Sequence, residues 1–88
     1  MDPKSKISRT RHSLEGKYAN YFRIGFNSLE FIVDFGQYDP ESDEAELYTR
    51  IITGPSHAKM LHETLQDSIR KYEATYGAIS IEEHSSSS

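Results

Sequence analysis

Over 18–36 and again over 45–53 the apolar positions recur with a period of two; beyond Gly54-Pro55 they recur at steps of three and four. A period of two is the mark of strands with one apolar face, and a period near 3.6 is the mark of an amphipathic helix. The chain is therefore expected to be α+β: a three-stranded antiparallel meander followed by one long C-terminal helix, in the order β-β-β-α.

The first strand is expected over Tyr18–Phe26, with Phe22, Ile24 and Phe26 on one face and Tyr21 and Arg23 on the other. The second is expected over Leu29–Gly36, with Phe31, Val33 and Phe35 opposed by Glu30, Ile32 and Asp34. Between them Asn27-Ser28 has the length of a two-residue hairpin loop, and Asn suits the positive φ that such loops use. That loop predicts the cross-strand pairs Phe26/Leu29, Ile24/Phe31 and Phe22/Val33, each apolar with apolar. A slip of one residue would set apolar against polar throughout.

Gln37–Glu44 reads as an acidic loop with Asp39-Pro40 as its turn signal. The third strand, Ala45–Thr53, alternates Leu47, Thr49 and Ile51 with Tyr48, Arg50 and Ile52. Periodicity alone leaves its orientation open, and charge supplies the choice. With Tyr48, Arg50 and Ile52 on the face of Glu30 and Asp34, Arg23 and Arg50 flank the carboxylates of the middle strand.

Pro55 suits the first helical position, where its missing N–H has no partner to lose. Ala58, Leu61, Leu65, Ile69, Tyr72 and Tyr76 then form one apolar stripe, widened by Met60, and Gly77 is placed to end the helix in a left-handed cap. The helix is expected to lie on the Phe22/Ile24/Phe31/Val33 face. The opposite face, with Tyr21, Ile32, Tyr48 and Ile52 among charges, then has no helix left to cover it.

Composition narrows the picture. All ten aromatic residues lie within 18–77, and the 88 residues contain no cysteine, so neither disulfides nor thiolate metal sites are available. A domain so small buries a modest share of its surface, which makes self-association the natural source of further stability. Three segments emerge: a basic arm, 1–17, that reads as disordered; a single α+β domain, 18–77; and a Ser-rich tail, 78–88, that also reads as disordered, in which Ile79 and Ile81 have the spacing for a short added strand. Their formal charges are +3, −5 and −2. An acidic body repels polyanions and argues against broad nucleic-acid binding. No stretch has the length and apolarity of a membrane span, and no apolar run follows the N-terminal charges as a secretory signal requires, so a cytoplasmic location is expected.

The chemistry-bearing groupings are incomplete. His62-Glu63-Thr64-Leu65-Gln66 has Gln where a zinc-protease helix carries its second His, and His57 lies five positions away from His62, on a different side of the helix. Asp39–Glu44 offers alternate carboxylates but lacks the glycine of a calcium loop and has Pro at its second position. Glu30 and Asp34 are ~13 Å apart along a strand, too far for paired acid–base work. Gly54-Pro55 opens a helix without any phosphate-loop pattern, and the adjacent Ser56 and His57 do not face one another as nucleophile and base. No catalytic, metal or cofactor-binding residue is expected, and no enzyme activity.

Several strings are nevertheless distinctive: Tyr18-Ala19-Asn20, Asp34-Phe35-Gly36, Thr49-Arg50, Pro55, His57-Ala58-Lys59, Leu61, Tyr72-Glu73 and Tyr76-Gly77. In these, residues 18–77 resemble the prokaryotic family catalogued as domain of unknown function 3467, a likeness that leaves out the arm and the tail and implies no activity. A looser similarity, at the level of architecture alone, is to the export chaperone SecB, a sheet-and-helix protein that assembles into oligomers.

Together these readings lead to a homo-oligomeric protein- or peptide-binding or scaffold module. Its expected interface is Tyr21, Arg23, Ile32, Tyr48, Arg50 and Ile52. The alternatives are a nucleic-acid-associated regulator, using Lys4, Lys6, Arg9 and Arg11 on phosphates, and a small-ligand or ion sensor at the His57/His62 end of the helix.

Overall fold

The computed structural model describes residues 14–81. Strands β1 (Tyr21–Phe26), β2 (Phe31–Asp39) and β3 (Glu44–Thr53) form one antiparallel sheet in the order β1-β2-β3, and helix α1 (Pro55–Tyr76) follows. The β-β-β-α architecture and both ends of α1 agree with the sequence reading. Pro55 is the first helical residue and the Ala58 amide donates to the Gly54 carbonyl at 2.8 Å. At the other end Gly77 takes φ 103° and ψ 168°, which is outside the left-handed helical basin but still a positive φ that favours glycine. Its amide donates to the Glu73 carbonyl.

The first hairpin corrects the expected register by two residues. Phe26 is opposite Phe31, Ile24 opposite Val33 and Phe22 opposite Phe35, with residues 27–30 forming the loop. Asn27 does not take a positive φ. Its Oδ1 instead accepts the amides of Leu29 and Glu30, at 2.8 and 3.0 Å, while its own amide donates to the Glu30 carbonyl. This four-residue turn leaves Leu29 80% exposed in the loop. The reward is two aromatic cross-strand contacts, Phe22–Phe35 edge-on at 5.8 Å and Phe26–Phe31 at 5.6 Å. A shift of two preserves the faces, so the expected division into apolar and mixed sides stands.

Other boundaries move for equally local reasons. Residues 18–20 lie outside β1, because Asn20 uses its side chain on the next rung. Its Oδ1 accepts the Tyr38 amide at 2.8 Å and its Nδ2 donates to the Tyr38 carbonyl at 3.4 Å. The acidic loop shortens from 37–44 to 40–43, since Asp39 accepts the Asp43 amide on its carbonyl and binds Glu41 and Ser42 with its carboxylate. Asp43 closes the turn at φ 58°, in the left-handed region that Asp tolerates. Residues 77–81 form no added strand; the Ile79 amide donates to the Glu73 carboxylate instead.

A larger correction concerns the helix. It does not cover the Phe22/Ile24/Phe31/Val33 face: no residue of α1 is buried, and extensive contact between elements is confined to β1 with β2 and β2 with β3. Among the described residues no apolar side chain is buried at all. The cause is the connection. Gly54 alone joins β3 to α1, and its φ of −79° and ψ of 165° carry the extended direction onward. Pro55 fixes its own φ and disfavours a helical turn at the residue before it. With Gly54 extended, the connection makes no turn that would bring α1 back onto the same sheet.

Candidate functional site

The mixed face of the sheet is built around Asp34. Central in β2, it faces Arg23 of β1 and Arg50 of β3 across two adjacent rungs. Arg50 donates to both carboxylate oxygens, Nε to Oδ1 at 2.8 Å and Nη2 to Oδ2 at 3.0 Å. Arg23 approaches Oδ2 at 3.7 Å. Asp34 is 4% exposed, whereas both arginines remain largely open to solvent. The Arg50 hydrogen bonds hold the Asp34 carboxyl below the usual carboxylate range; burial opposes this, and the charges of Arg50 and Arg23 reinforce it. The same hydrogen bonds and the Asp34 charge push the Arg50 guanidinium up.

Most of the expected interface residues gather around this cluster. Ile32 is opposite Ile52 two residues along the strands, the first half-buried and the second exposed, and half-buried Tyr21 is opposite Gly36 at the other end. Tyr48 separates from them. A bulge between Phe35 and Gly36 omits it from the pairing, so Leu47 is opposite Gly36 and alternation fails at this point. The Tyr48 hydroxyl donates to the Tyr18 carbonyl, and Lys17 Nζ lies 5.5 Å from its ring centroid. Tyr48 thus anchors residues 17–18 to the sheet.

Asp34 itself is the organising residue that the sequence-based interface omitted. Its signal was present in the sequence, since Asp34 shares one face with Arg23 and Arg50 and so reads as their ion-pair partner. At the far end of the sheet Tyr38 donates to Asp43 Oδ1 at 2.6 Å, and that bond raises the Tyr38 phenol above its ordinary value. Among the described residues no group of three or more His, Asp or Glu side chains is disposed to hold a metal ion. Lys4, Lys6, Arg9 and Arg11 lie outside the described residues, as does the serine run 85–88.

The chemistry of the cluster is that of an ion-paired triad across three strands. Arg50 has two of its nitrogens committed to Asp34, and Arg23 remains largely open to solvent. A family model described as "Protein of unknown function (DUF3467)" matches residues 1–81. The chain belongs to this family. The DUF3467 match takes in Asp34, Arg50, Pro55 and Gly77, and it also extends through residues 1–17, which the residue-level likeness had left out. No curated protein and no solved structure matches the chain. No helix among the described residues is long and apolar enough to cross a membrane.

Proposed function

We propose that this DUF3467 protein is a non-enzymatic, homo-oligomeric scaffold that binds another protein or a peptide, and that it works in the cytoplasm. The observation that carries the reading is the absence of any buried apolar side chain among the described residues, although both a sheet face and a helix stripe are apolar. Contiguous apolar surface on this scale is characteristic of interaction sites. The apolar faces serve assembly, and the mixed face, with Arg23, Ile32, Arg50 and Ile52 around Asp34, meets the partner. Aromatic and arginine anchors beside apolar contacts are the usual makings of such a surface.

The test combines mass in solution with partner capture. Arg23→Ala and Ile52→Ala should keep the wild-type sedimentation mass and lose partners that the wild type retains in an affinity capture read by mass spectrometry. A wild-type chain that sediments as a monomer at micromolar concentration would refute the oligomeric half of the reading. Unchanged capture by both variants would refute the role of the mixed face.

A further inference from the structure

We infer that the occupant of the exposed apolar sheet face is the helix of a second copy of this chain, in a reciprocal helix-exchanged dimer. This rests on the homo-oligomeric reading above and gives it a definite geometry. Three observations converge on it.

The chain carries both halves of a sheet–helix layer and joins them nowhere. On the sheet, Phe22, Ile24, Phe26 and Ile51 are 49 to 74% exposed. On α1, Leu61, Leu65, Ile69, Tyr72 and Tyr76 are 40 to 74% exposed. A sheet face and an amphipathic helix each require such a partner layer.

The connection disfavours the intrachain solution. Strand-to-helix connections that return a helix to its own sheet ordinarily take 2–6 residues, whereas Gly54 alone is available here and is extended. The helix of another copy is not so constrained. Because each chain offers one sheet face and one helix, a two-fold axis satisfies both at once, and the arrangement closes.

The dimensions agree. The 22-residue helix is about 33 Å long, enough to cross a three-stranded sheet whose strands are ~4.8 Å apart. With large apolar side chains taken at ~200 Å² each, the nine residues above expose roughly 1,000 Å² per chain. Burying both sets in a dimer removes on the order of 2,000 Å², the size of a stable protein–protein interface.

Because the chain has no cysteine, introduced thiols report on one contact only. Three double variants pair Ile24→Cys with Leu61→Cys, Leu65→Cys or Ile69→Cys, each checked for wild-type circular dichroism and treated with a short bis-maleimide. The expected result is a wild-type mass of twice the 10.1 kDa chain and, in at least one variant, a covalent dimer whose peptide map joins position 24 of one chain to the helix of another. Refolding mixtures of the corresponding single variants should give the same link. A dimer with no 24-to-helix link in any variant overturns the exchange while leaving the homo-oligomer intact. A link confined within one chain overturns the exchange as well, and a monomeric mass overturns both readings.

Discussion

Asp34 receives a two-pronged hydrogen bond from Arg50, 2.8 Å from Nε to Oδ1 and 3.0 Å from Nη2 to Oδ2, across a rung shared by β2 and β3. The pair sits in the middle of the sheet, with Asp34 the one charged residue buried among those described. Two parallel bonds fix the relative position of the strands, because a guanidinium and a carboxylate match in only a few geometries. Lysine would supply the charge without the fork, so Arg50→Lys is not a conservative change.

The pH dependence of stability follows from this pair. The folded-state pKa of Asp34 is lowered by Arg50, so between the folded and unfolded values the unfolded chain binds the extra proton. Its contribution is fully present above the unfolded value of about 3.9 and is lost as pH falls through the folded value. Urea unfolding from pH 7 down to pH 2 should show stability dropping below about pH 4, and Asp34→Asn should be weaker at neutral pH with a flatter acid limb. Asp67, lowered by Lys71 and Arg70 on exposed turns of α1, leaves a residual slope in that variant. An acid limb as steep in Asp34→Asn as in the wild type would contradict the assignment.

Gly36 provides a test of the bulge. A Cβ there would run into the Glu46 carbonyl and lie 2.9 Å from the Leu47 Cα, both backbone atoms of β3. Gly36→Ala should therefore destabilise by about 1–3 kcal/mol in denaturant unfolding, as overpacking against rigid structure does. At Gly25 a Cβ meets nothing within 4 Å, and Gly25→Ala should stay within about 0.5 kcal/mol of wild type.

The first hairpin can be checked through Leu29 and Asn27. In the observed register Leu29 belongs to the loop, so Leu29→Ser should change stability by less than about 0.5 kcal/mol. Asn27→Ala removes the acceptor for two backbone amides and should lower stability by about 1 kcal/mol or more. A two-residue loop would reverse this order, because Leu29 would then be paired with Phe26. Thermal unfolding of the two variants at equal concentration decides between the registers.

Much of this fold is legible in local spacing. The switch of period at Gly54-Pro55 locates the strands and the helix, and Pro55 and Gly77 mark both helix ends because each has a conformational restriction or freedom that acts within a residue or two. The charge argument also places Arg50 on the face of Asp34, since an alternating strand has only two choices. The hairpin register was less accessible. Pairings two residues apart preserve every face, so alternation cannot distinguish them; side-chain capping by Asn27 and the Phe22–Phe35 and Phe26–Phe31 contacts make the selection.

For Tyr48 alternation fails because one unpaired residue reverses the parity of everything beyond it, and Gly36 accommodates that bulge by close approach of two backbones. The fate of the helix is of a different kind. Its apolar stripe says that it must be covered, and the sheet's apolar face says the same of itself, but hydrophobicity has no direction and does not say whether the two meet within one chain. That answer lies in three dimensions, where a single extended Gly54 before Pro55 carries α1 away from the sheet it follows rather than back over it.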